Sequence, residues 1–293
     1  MRRPMRHLRR YRVLCLVLLW VGMLALSVSA QTLSVRSNRW LEFRSTTGAV
    51  AVVRAGQSRA AQVGNRIRSV GDEVRTGPNS SARLAVDTQI GFVVISENTI
   101  LRISRLRTTR RGGRVTELTV EQGQARLQVR SFTSPETELN IRTPAGVNGV
   151  RGTDFGVAIQ PNGRTGVATL EGEVAAIAAG ETVPLAAGLQ SIVVPGESPD
   201  PPSPLNEDTF LDVVRLEWAF VSPVPTDDGG HQRVVNFQGR VDPINLLIIN
   251  GVTRSTERAG TFDLNILVDD SRKLSATVIT PLGTEQVYEL AIP

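Results

Sequence analysis

The feature that most constrains this chain is a recurring alternation of apolar and polar residues in short segments separated by glycine turns. The alternation is clearest in Ala82–Ile95, Val115–Val129 and Phe155–Ile159. It is typical of half-buried β-strands, and no long segment has apolar residues at helical spacing. Further strands are predicted at Leu139–Ile141, Gly166–Ile177 and Ser191–Val194, with turns at Gly112-Gly113, Gln122-Gly123, Asn162-Gly163 and Gly180. The sequence therefore predicts an all-β protein, with a sandwich or a coiled, solenoid-like sheet in this half.

A boundary is predicted at residues 195–204, where five prolines occur in ten residues without a large apolar side chain. Such a segment is not expected to continue a strand ladder, so it is interpreted as a semi-rigid linker. Few contacts are expected to cross it. The predicted organisation is therefore residues 31–194 as one β domain, residues 195–204 as the linker and residues 205–293 as a second domain.

The second domain also alternates, beginning with Val214–Phe220. Further strands are predicted at Val234–Val241, Ile244–Ile249, Thr261–Leu267, Lys273–Ile279 and Glu285–Ile292. About seven strands in about 90 residues match the size and rhythm of an immunoglobulin-like β-sandwich.

Residues 1–30 have the layout of a secretory signal peptide. Met1–Arg12 carries six arginines, Val13–Val28 is almost continuously apolar, and the small residues Ser29-Ala30 precede Gln31. We expect cleavage near Ala30 and export to the periplasm or cell envelope. The alternative is an uncleaved membrane anchor, because the apolar run approaches the length needed to span a bilayer.

Composition after the leader excludes several kinds of chemistry. The whole chain has a formal charge of +5, but residues 31–293 hold 27 basic and 28 acidic residues. A general attraction to nucleic acid is therefore not indicated. Cys15 lies in the leader, and His231 is the single histidine after it. Cysteine nucleophiles, disulfides and histidine-cluster metal sites are excluded, so we predict no enzyme activity, no cofactor and no metal.

Charge is distributed unevenly along the chain. Residues 31–133 have 17 basic and 7 acidic residues, net +10, whereas residues 205–293 are net −6. Arginines surround the Gly112-Gly113 turn, at Arg102, Arg105, Arg107, Arg110, Arg111 and Arg114. One interpretation is an anion-binding hairpin centred on Arg107, Arg110 and Arg111, since guanidinium groups match carboxylate and phosphate oxygens. The other is a solvated hairpin tip in a chain with a single lysine.

The first half resembles the FecR domain family, named for periplasmic regulators of ferric-citrate uptake. The resemblance spans about Gly48 to Val194. Its ordered blocks include Val70–Gly77, Ser96–Leu101, Ile141–Gly146, Val150–Val157 and Leu170–Val174. It implies an all-β fold with a coiled sheet.

Two departures from that family bear on function. Its regulators carry an anti-sigma segment before a membrane helix, whereas about twelve residues precede the apolar run here. The last part of the chain resembles bacterial immunoglobulin-like add-on domains instead of a mixed α/β subdomain. The resemblance therefore implies iron signalling only weakly.

Within the family motif, Arg151, Gly152, Thr153 and Phe155 are interpreted as structural. Gly152 would permit a tight bend, Thr153 and Phe155 would pack, and Arg151 and Asp154 would tie neighbouring strands. Glu171 and Glu173 flank Gly172 and are interpreted as turn or strand-edge residues, not as a catalytic pair. Asp227-Asp228 and Asp269-Asp270 lack the ligand spacing of a calcium loop and are interpreted as turns.

Three functions stay open at this point. The first is an exported, non-enzymatic binding or structural module of the cell envelope, with an envelope polysaccharide or another envelope protein as partner. The second is a signal-sensing regulator of the FecR type. The third is an accessory to an envelope-glycan enzyme, which the low aromatic content of 4% disfavours because sugar-stacking platforms are scarce. No contact with nucleic acid is expected, and contact with the membrane is expected only if the leader is retained.

Overall fold

The computed structural model describes residues 36–87, 90–219, 224–225, 231–268 and 272–293. All regular secondary structure in these ranges is β-strand, which confirms the predicted fold class. The signal-peptide prediction and the acidic pairs at residues 227–228 and 269–270 lie outside the described residues and stay predictions. Within the described ranges, no helix has the length and apolar content needed to cross a bilayer.

The N-terminal half of the described chain contains seventeen strands. They are β1 (Arg36–Thr47), β2 (Val50–Arg54), β3 (Gln57–Ala60), β4 (Arg66–Ser69), β5 (Glu73–Thr76), β6 (Ser81–Val86), β7 (Gly91–Ile95), β8 (Ile100–Thr108), β9 (Arg114–Val129), β10 (Glu138–Arg142), β11 (Val147–Val150), β12 (Asp154–Ile159), β13 (Thr165–Glu171), β14 (Glu173–Ala178), β15 (Glu181–Ala186), β16 (Leu189–Val193) and β17 (Ser203–Pro204).

These strands form two sheets that share β9. Sheet A has the order β4-β1-β6-β7-β9-β12-β13-β16-β17. Sheet B has the order β3-β2-β5-β8-β9-β10-β11-β14-β15. All neighbours are antiparallel except β9 and β10. The chain thus moves back and forth between the sheets, which agrees with the predicted coiled sheet.

Strand β9 changes sheets at Gly123. Its first part pairs with β8 in sheet B, and residues from Gly123 onward pair with β12 in sheet A. Gly123 has a φ of 86°, and a Cβ atom there would lie 2.6 Å from the Cα of Thr99. The predicted turn at Gln122-Gly123 is therefore wrong. The glycine bends a continuous strand, because the bend needs a positive φ and close approach to another backbone.

The core of the N-terminal half lies between the two sheets. Phe43, Phe155, Leu84, Leu118 and Leu127 are completely buried there. In β9 the burial alternates along the strand, as the sequence pattern predicts. Each such side chain contributes about 1.5–3 kcal/mol by leaving water, so this shared core is the main source of stability.

Two local predictions around Gly163 and Gly172 have different outcomes. The Asn162-Gly163 hairpin is confirmed: it joins β12 to β13, and the Gly163 N–H donates to the Gln160 carbonyl at 2.8 Å. The single strand predicted over Gly166–Ile177 is instead two strands. Gly172, with a φ of 79°, turns the chain from sheet A to sheet B, which also places Glu171 and Glu173 on either side of a turn.

The C-terminal half forms a second pair of sheets. Its strands are β18 (Asp212–Trp218), β19 (Val224–Pro225), β20 (His231–Arg240), β21 (Leu246–Ile249), β22 (Val252–Arg254), β23 (Thr261–Val268), β24 (Lys273–Ile279) and β25 (Glu285–Ala291). One sheet contains β18, β19, β20 and β23, and the other has the order β22-β21-β24-β25.

A separate core joins these two sheets. Phe237 and Phe262 meet edge to face with ring centroids 4.9 Å apart, beside the buried Leu247, Leu274 and Val278. This arrangement agrees with the predicted sandwich. The immunoglobulin-like assignment and the exact domain boundaries stay predictions.

The proline-rich segment is not an isolated linker. Ser203 and Pro204 pair with β16, the Asp200 N–H donates to the Ile192 carbonyl at 2.9 Å, and Pro199 is buried. Proline lacks one donor, but Ser203 and Asp200 still find hydrogen-bond partners in β16. The expectation that this segment could not continue a ladder is therefore wrong.

The expectation of few contacts across the boundary is also wrong. The C-terminal half packs on sheet A at Gly156 and Gly166: a Cβ atom on Gly156 would lie 1.8 Å from the Pro281 carbonyl oxygen, and one on Gly166 would lie 2.5 Å from that of Ile244. Apolar contacts continue through Ala158 and Ile248. These bare glycines let the two backbones touch, which a sequence without coordinates does not reveal.

Candidate functional site

The arginine-rich turn forms the tip of the β8–β9 hairpin. The Gly112 N–H donates to the Thr109 carbonyl at 3.1 Å, and the Gly113 N–H donates to the Thr109 hydroxyl at 2.8 Å. The same hydroxyl donates to Glu136 at 2.5 Å. Gly112 has a φ of 86°, so the predicted glycine turn is confirmed. The tip is held by its own main chain and by Thr109, not by its arginines.

The base of the hairpin is fixed by a buried arginine from β1. Arg39 is 4% exposed and donates from Nη1 to the carbonyls of Arg107 and Val115 at 2.9 and 2.8 Å. Its Nε donates to the buried carboxylate of Asp87 at 2.7 Å. Burial lowers the pKa of Arg39, while the charge of Asp87 and the hydrogen bond to it act in the opposite direction. This network ties β1 to both strands of the hairpin.

The six predicted cluster arginines separate into two groups. Arg102 donates to Glu73 at 2.9 Å and lies 2.8 Å from Glu121, and Arg114 lies 4.0 Å from Asp87. Arg102 and Arg114 therefore have carboxylate partners within the fold. Arg105, Arg107, Arg110 and Arg111 are exposed.

Only a weak ion pair restrains the exposed group. The Arg111 side chain is 87% exposed and lies 3.6 Å from Glu136. Among the described residues, no carboxylate forms an ion pair with Arg107 or Arg110. Arg110 and Arg111 therefore lie exposed on the tip, and Arg107 lies exposed near the end of β8, next to the base. This geometry can present several guanidinium groups to an anion at once.

The motif residues occupy a tight bend between β11 and β12, and β12 pairs with the second part of β9. Gly152 has a φ of 89°, and a Cβ atom there would lie 2.4 Å from the Cα of Ser131. Thr153 is 3% exposed and Phe155 is completely buried. Arg151 is exposed and donates to the Pro135 carbonyl at 3.4 Å.

Asp154 forms the strongest polar contact of the motif. Arg126 donates to both of its oxygens at 2.8 and 2.9 Å, and Gln128 donates at 3.2 Å. The hydrogen bond to Asp154 raises the pKa of Arg126. The partner of Asp154 is thus Arg126 of β9, and Arg151 does not pair with it. A groove of about 640 Å³ runs beside this contact, lined by both signs of charge.

Comparison with known proteins identifies the middle part of the N-terminal half. Residues 72–175, which include the hairpin and the bend, match the family model described as FecR protein. The chain carries a FecR domain. No curated protein matches the chain. The FecR domain is therefore assigned from the family model and from the motif residues that form the bend.

Solved structures similar to this chain include two of a putative anti-sigma factor from Parabacteroides distasonis, at 1.65 and 2.50 Å resolution. Each is 19% identical to this chain, with a TM-score of 0.38, and the alignment covers 46% of this chain. It covers 60% of the other chain, so this protein spans less than two thirds of either structure.

Sequence reasoning missed Arg39 and Asp87, which lie 48 residues apart and meet at the base of the hairpin. The arginine directly before Trp40 carries no signal of burial in the sequence. Across the described ranges, no group of three histidine, cysteine, aspartate or glutamate residues is placed to hold a metal ion. The predictions of no metal, no cofactor and no enzyme activity stay predictions.

Proposed function

We propose that this protein is an exported, non-enzymatic binding module of the cell envelope whose FecR domain binds an anionic polysaccharide through Arg107, Arg110 and Arg111. The observation that carries the proposal is the exposed end of the β8–β9 hairpin. Arg110 and Arg111 lie on its tip, and Arg107 lies on β8, where Arg39 bonds its carbonyl. The tip is held by main-chain and threonine contacts, so its guanidinium groups are available to a ligand.

The positive charge around the hairpin and the presence of several exposed arginines support a polymeric ligand. Residues 31–133 carry a net charge of +10, so the tip lies in a positive field. Each exposed guanidinium contact is worth only about 0.5 kcal/mol, so a single anion would be held weakly. A polymer with repeated carboxylates engages several arginines together, and three such contacts give about tenfold in affinity.

The test is retention of the purified protein on immobilised alginate, a carboxylated polysaccharide, with uncharged dextran as the reference. Replacing Arg107, Arg110 and Arg111 with Ala is expected to weaken retention about tenfold at low salt. Physiological salt should reduce binding of the unchanged protein, because the Debye length falls to about 8 Å.

The matched control replaces Arg142, Arg215 and Arg258 with Ala. These arginines are also exposed, but each already pairs with a carboxylate. The control removes the same formal charge and should keep most of the binding. Equal retention of both triple variants would refute a role for the tip. Binding to vesicles containing anionic phospholipid, but not to alginate, would show that the ligand is a membrane surface and not a polysaccharide.

A second candidate function is a signal-sensing regulator of the FecR type, which the match of residues 72–175 to the FecR family favours. This function predicts that deleting the gene changes transcription of a neighbouring sigma factor gene and its receptor gene. Absence of such genes nearby, with unchanged transcription after deletion, would remove this candidate.

A further inference from the structure

The two ends of the sheets in the N-terminal half differ in how their edge strands are protected. At one end, β15 contains Pro184 and β17 ends at Pro204. At the other end, β3 and β4 contain no proline. All four residues of β3 are exposed, and among the described strands β3 pairs only with β2. An open edge of this kind can pair with another strand, whereas proline blocks such pairing.

The register of the β2–β3 hairpin shows which main-chain groups of β3 are free. Its turn residues Ala55 and Gly56 have φ values of 49° and 78°, and Arg54 lies opposite Gln57. In a two-residue hairpin the residues next to the turn form a hydrogen-bonded pair, and the pairs then alternate. The N–H and C=O groups of Ser58 and Ala60 therefore face away from β2.

A groove lies beside this edge. Its volume is about 530 Å³, and it separates β3 of sheet B from β4 of sheet A. Half-buried Val52 and buried Ile67 give it an apolar lining. The free edge of β3 thus borders a surface that can accept apolar side chains.

Arginines line the same groove. Arg54 donates two hydrogen bonds to Asp72, at 3.0 and 2.9 Å, and Arg66 donates to Glu42 at 2.5 Å. Arg59 is exposed, and among the described residues it forms no ion pair. Because Arg59 lies opposite Val52, its side chain is on the same face of the hairpin as the apolar lining.

We propose that this groove binds an extended acidic peptide segment of another protein, which adds to β3 as a new strand. Main-chain groups of Ser58 and Ala60 would pair with the peptide, and alternate side chains of the peptide would reach the groove. Its apolar residues fit the lining of Val52 and Ile67, and its carboxylates fit Arg59. A polysaccharide has no regular row of N–H donors to match this edge. This surface and this ligand class are distinct from the hairpin tip.

The test uses a fluorescent eight-residue synthetic peptide, Val-Val-Glu-Glu-Val-Val-Glu-Glu, which places both valine and glutamate on each face of a strand, with binding followed by anisotropy. Ser58→Pro removes an outward N–H but not a bond to β2, and its ring obstructs the incoming strand. Loss of one main-chain hydrogen bond predicts binding about tenfold weaker. Ser58→Ala keeps the N–H and should bind as the unchanged protein does, which makes it the matched control.

Arg59→Gln tests the charge part of the proposal. It should weaken binding about threefold and flatten the salt dependence, because one exposed ion pair is lost. A peptide with lysine in place of glutamate should bind markedly less. The Arg107, Arg110 and Arg111 variant should bind the peptide normally, so failure of the hairpin-tip function and failure of this proposal are distinguishable.

Three outcomes would overturn the proposal. One is equal binding by Ser58→Pro and Ser58→Ala. Another is no binding by the unchanged protein at about 1 mM peptide, a concentration at which even weak specific binding is detected. The arginines beside β3 would then serve only to prevent other strands from pairing with this edge. The third is self-association of the unchanged protein in sedimentation that Ser58→Pro abolishes, since the occupant would then be a second copy of this chain.

Discussion

The base and the tip of the β8–β9 hairpin use the same residue type in opposite ways. At the base, Arg39 is 4% exposed and its guanidinium bonds to two carbonyls and a carboxylate. At the tip, the side chain of Arg111 is 87% exposed with one loose partner. A buried charge must be fully bonded because removal from water is costly, whereas an exposed one is not so constrained.

The difference teaches that arginine count does not measure arginine function in this chain. Arg164 is a second buried arginine, 4% exposed at the contact between the halves, but its acceptors are neutral and its Nε has no hydrogen-bond partner among the described residues. It donates to the Glu257 carbonyl at 2.6 Å and to the Thr256 hydroxyl at 2.5 Å. Burial lowers the pKa of Arg164, with the charge of Glu257 acting in the opposite direction. Arginines that bond to buried partners stabilise the fold, whereas exposed arginines without such partners are free to contact a ligand.

The largest effect is expected at the base. Arg39→Ala removes the close ion pair of the buried Asp87, which keeps a hydrogen bond from the Trp40 N–H and the distant Arg114. It also leaves the carbonyls of Arg107 and Val115 without this donor. The free energy of unfolding should fall by about 3–5 kcal/mol, the usual cost of breaking a buried ion pair. Urea denaturation measures this. A loss below about 1 kcal/mol, the range of surface pairs, would erase the distinction between base and tip.

Arg164→Ala should have the next largest effect. It removes charge-assisted hydrogen bonds to the C-terminal half, so the free energy of unfolding should fall by about 2–3 kcal/mol. Limited proteolysis between residues 195 and 204 should become faster, because the contacts beside that segment loosen.

Arg258→Ala is the matched control for Arg164. Arg258 bridges the halves with exposed contacts to Glu197 and Asp200, at 2.8 and 2.6 Å. Its loss should be clearly smaller than that of Arg164, since solvent screens these ion pairs. If both variants lose the same stability, burial is not what separates the two kinds of arginine.

Carboxylates extend the comparison to pH. Burial acts to raise the pKa of Glu73, but hydrogen bonds from Arg75 and Arg102 outweigh it and the pKa is lowered. No arginine contributes at Glu285, where burial and then the charge of Glu97 raise the pKa. A raised folded-state pKa contributes stability below the unfolded pKa, and that contribution is lost as pH rises through the folded pKa.

Glu285→Gln should therefore stabilise the protein at pH 7. The gain should be below about 1 kcal/mol, because the side chain is only partly surrounded by protein and water still screens its charge. It should disappear below the ordinary glutamate pKa of about 4.3. Glu289→Gln, on the same strand, is the control for the change of charge. Identical behaviour of the two variants in urea at both pH values would contradict the assignment.

What the sequence predicts well is local. The β12–β13 hairpin follows from Asn162-Gly163, and β24 has the bounds predicted from its alternation, Lys273–Ile279. The motif bend at Gly152 also follows from residue type, since a positive φ is easiest for glycine. These features depend on neighbours in the chain, which a sequence states directly.

What the sequence does not predict depends on residues far apart. Arg39 meets Asp87 only after β1 has paired with β6, and Gly156 meets Pro281 only after both halves have folded. Gly123 has the residue type of a turn and instead bends a strand between two sheets. The sequence places the arginines around the Gly112-Gly113 turn, but their division into paired and exposed members follows only from the coordinates.

The smallest effect on stability is expected at the tip. Replacing Arg107, Arg110 and Arg111 with Ala should change the free energy of unfolding by no more than about 0.5 kcal/mol, the usual range for surface sites. The Arg107 carbonyl that accepts from Arg39 is main chain and is kept in the variant. The turn itself depends on Thr109 and the two glycines.

Gly113→Ala gives this prediction its control. A Cβ atom at Gly113 would lie 2.7 Å from the Glu136 carbonyl oxygen, so the tip must shift and about 1–3 kcal/mol should be lost. Thermal and urea unfolding of the two variants side by side separate the main chain of the tip from its charges. A triple variant that loses as much stability as Gly113→Ala would show that the exposed arginines support the fold, and the functional distinction between base and tip would then fail.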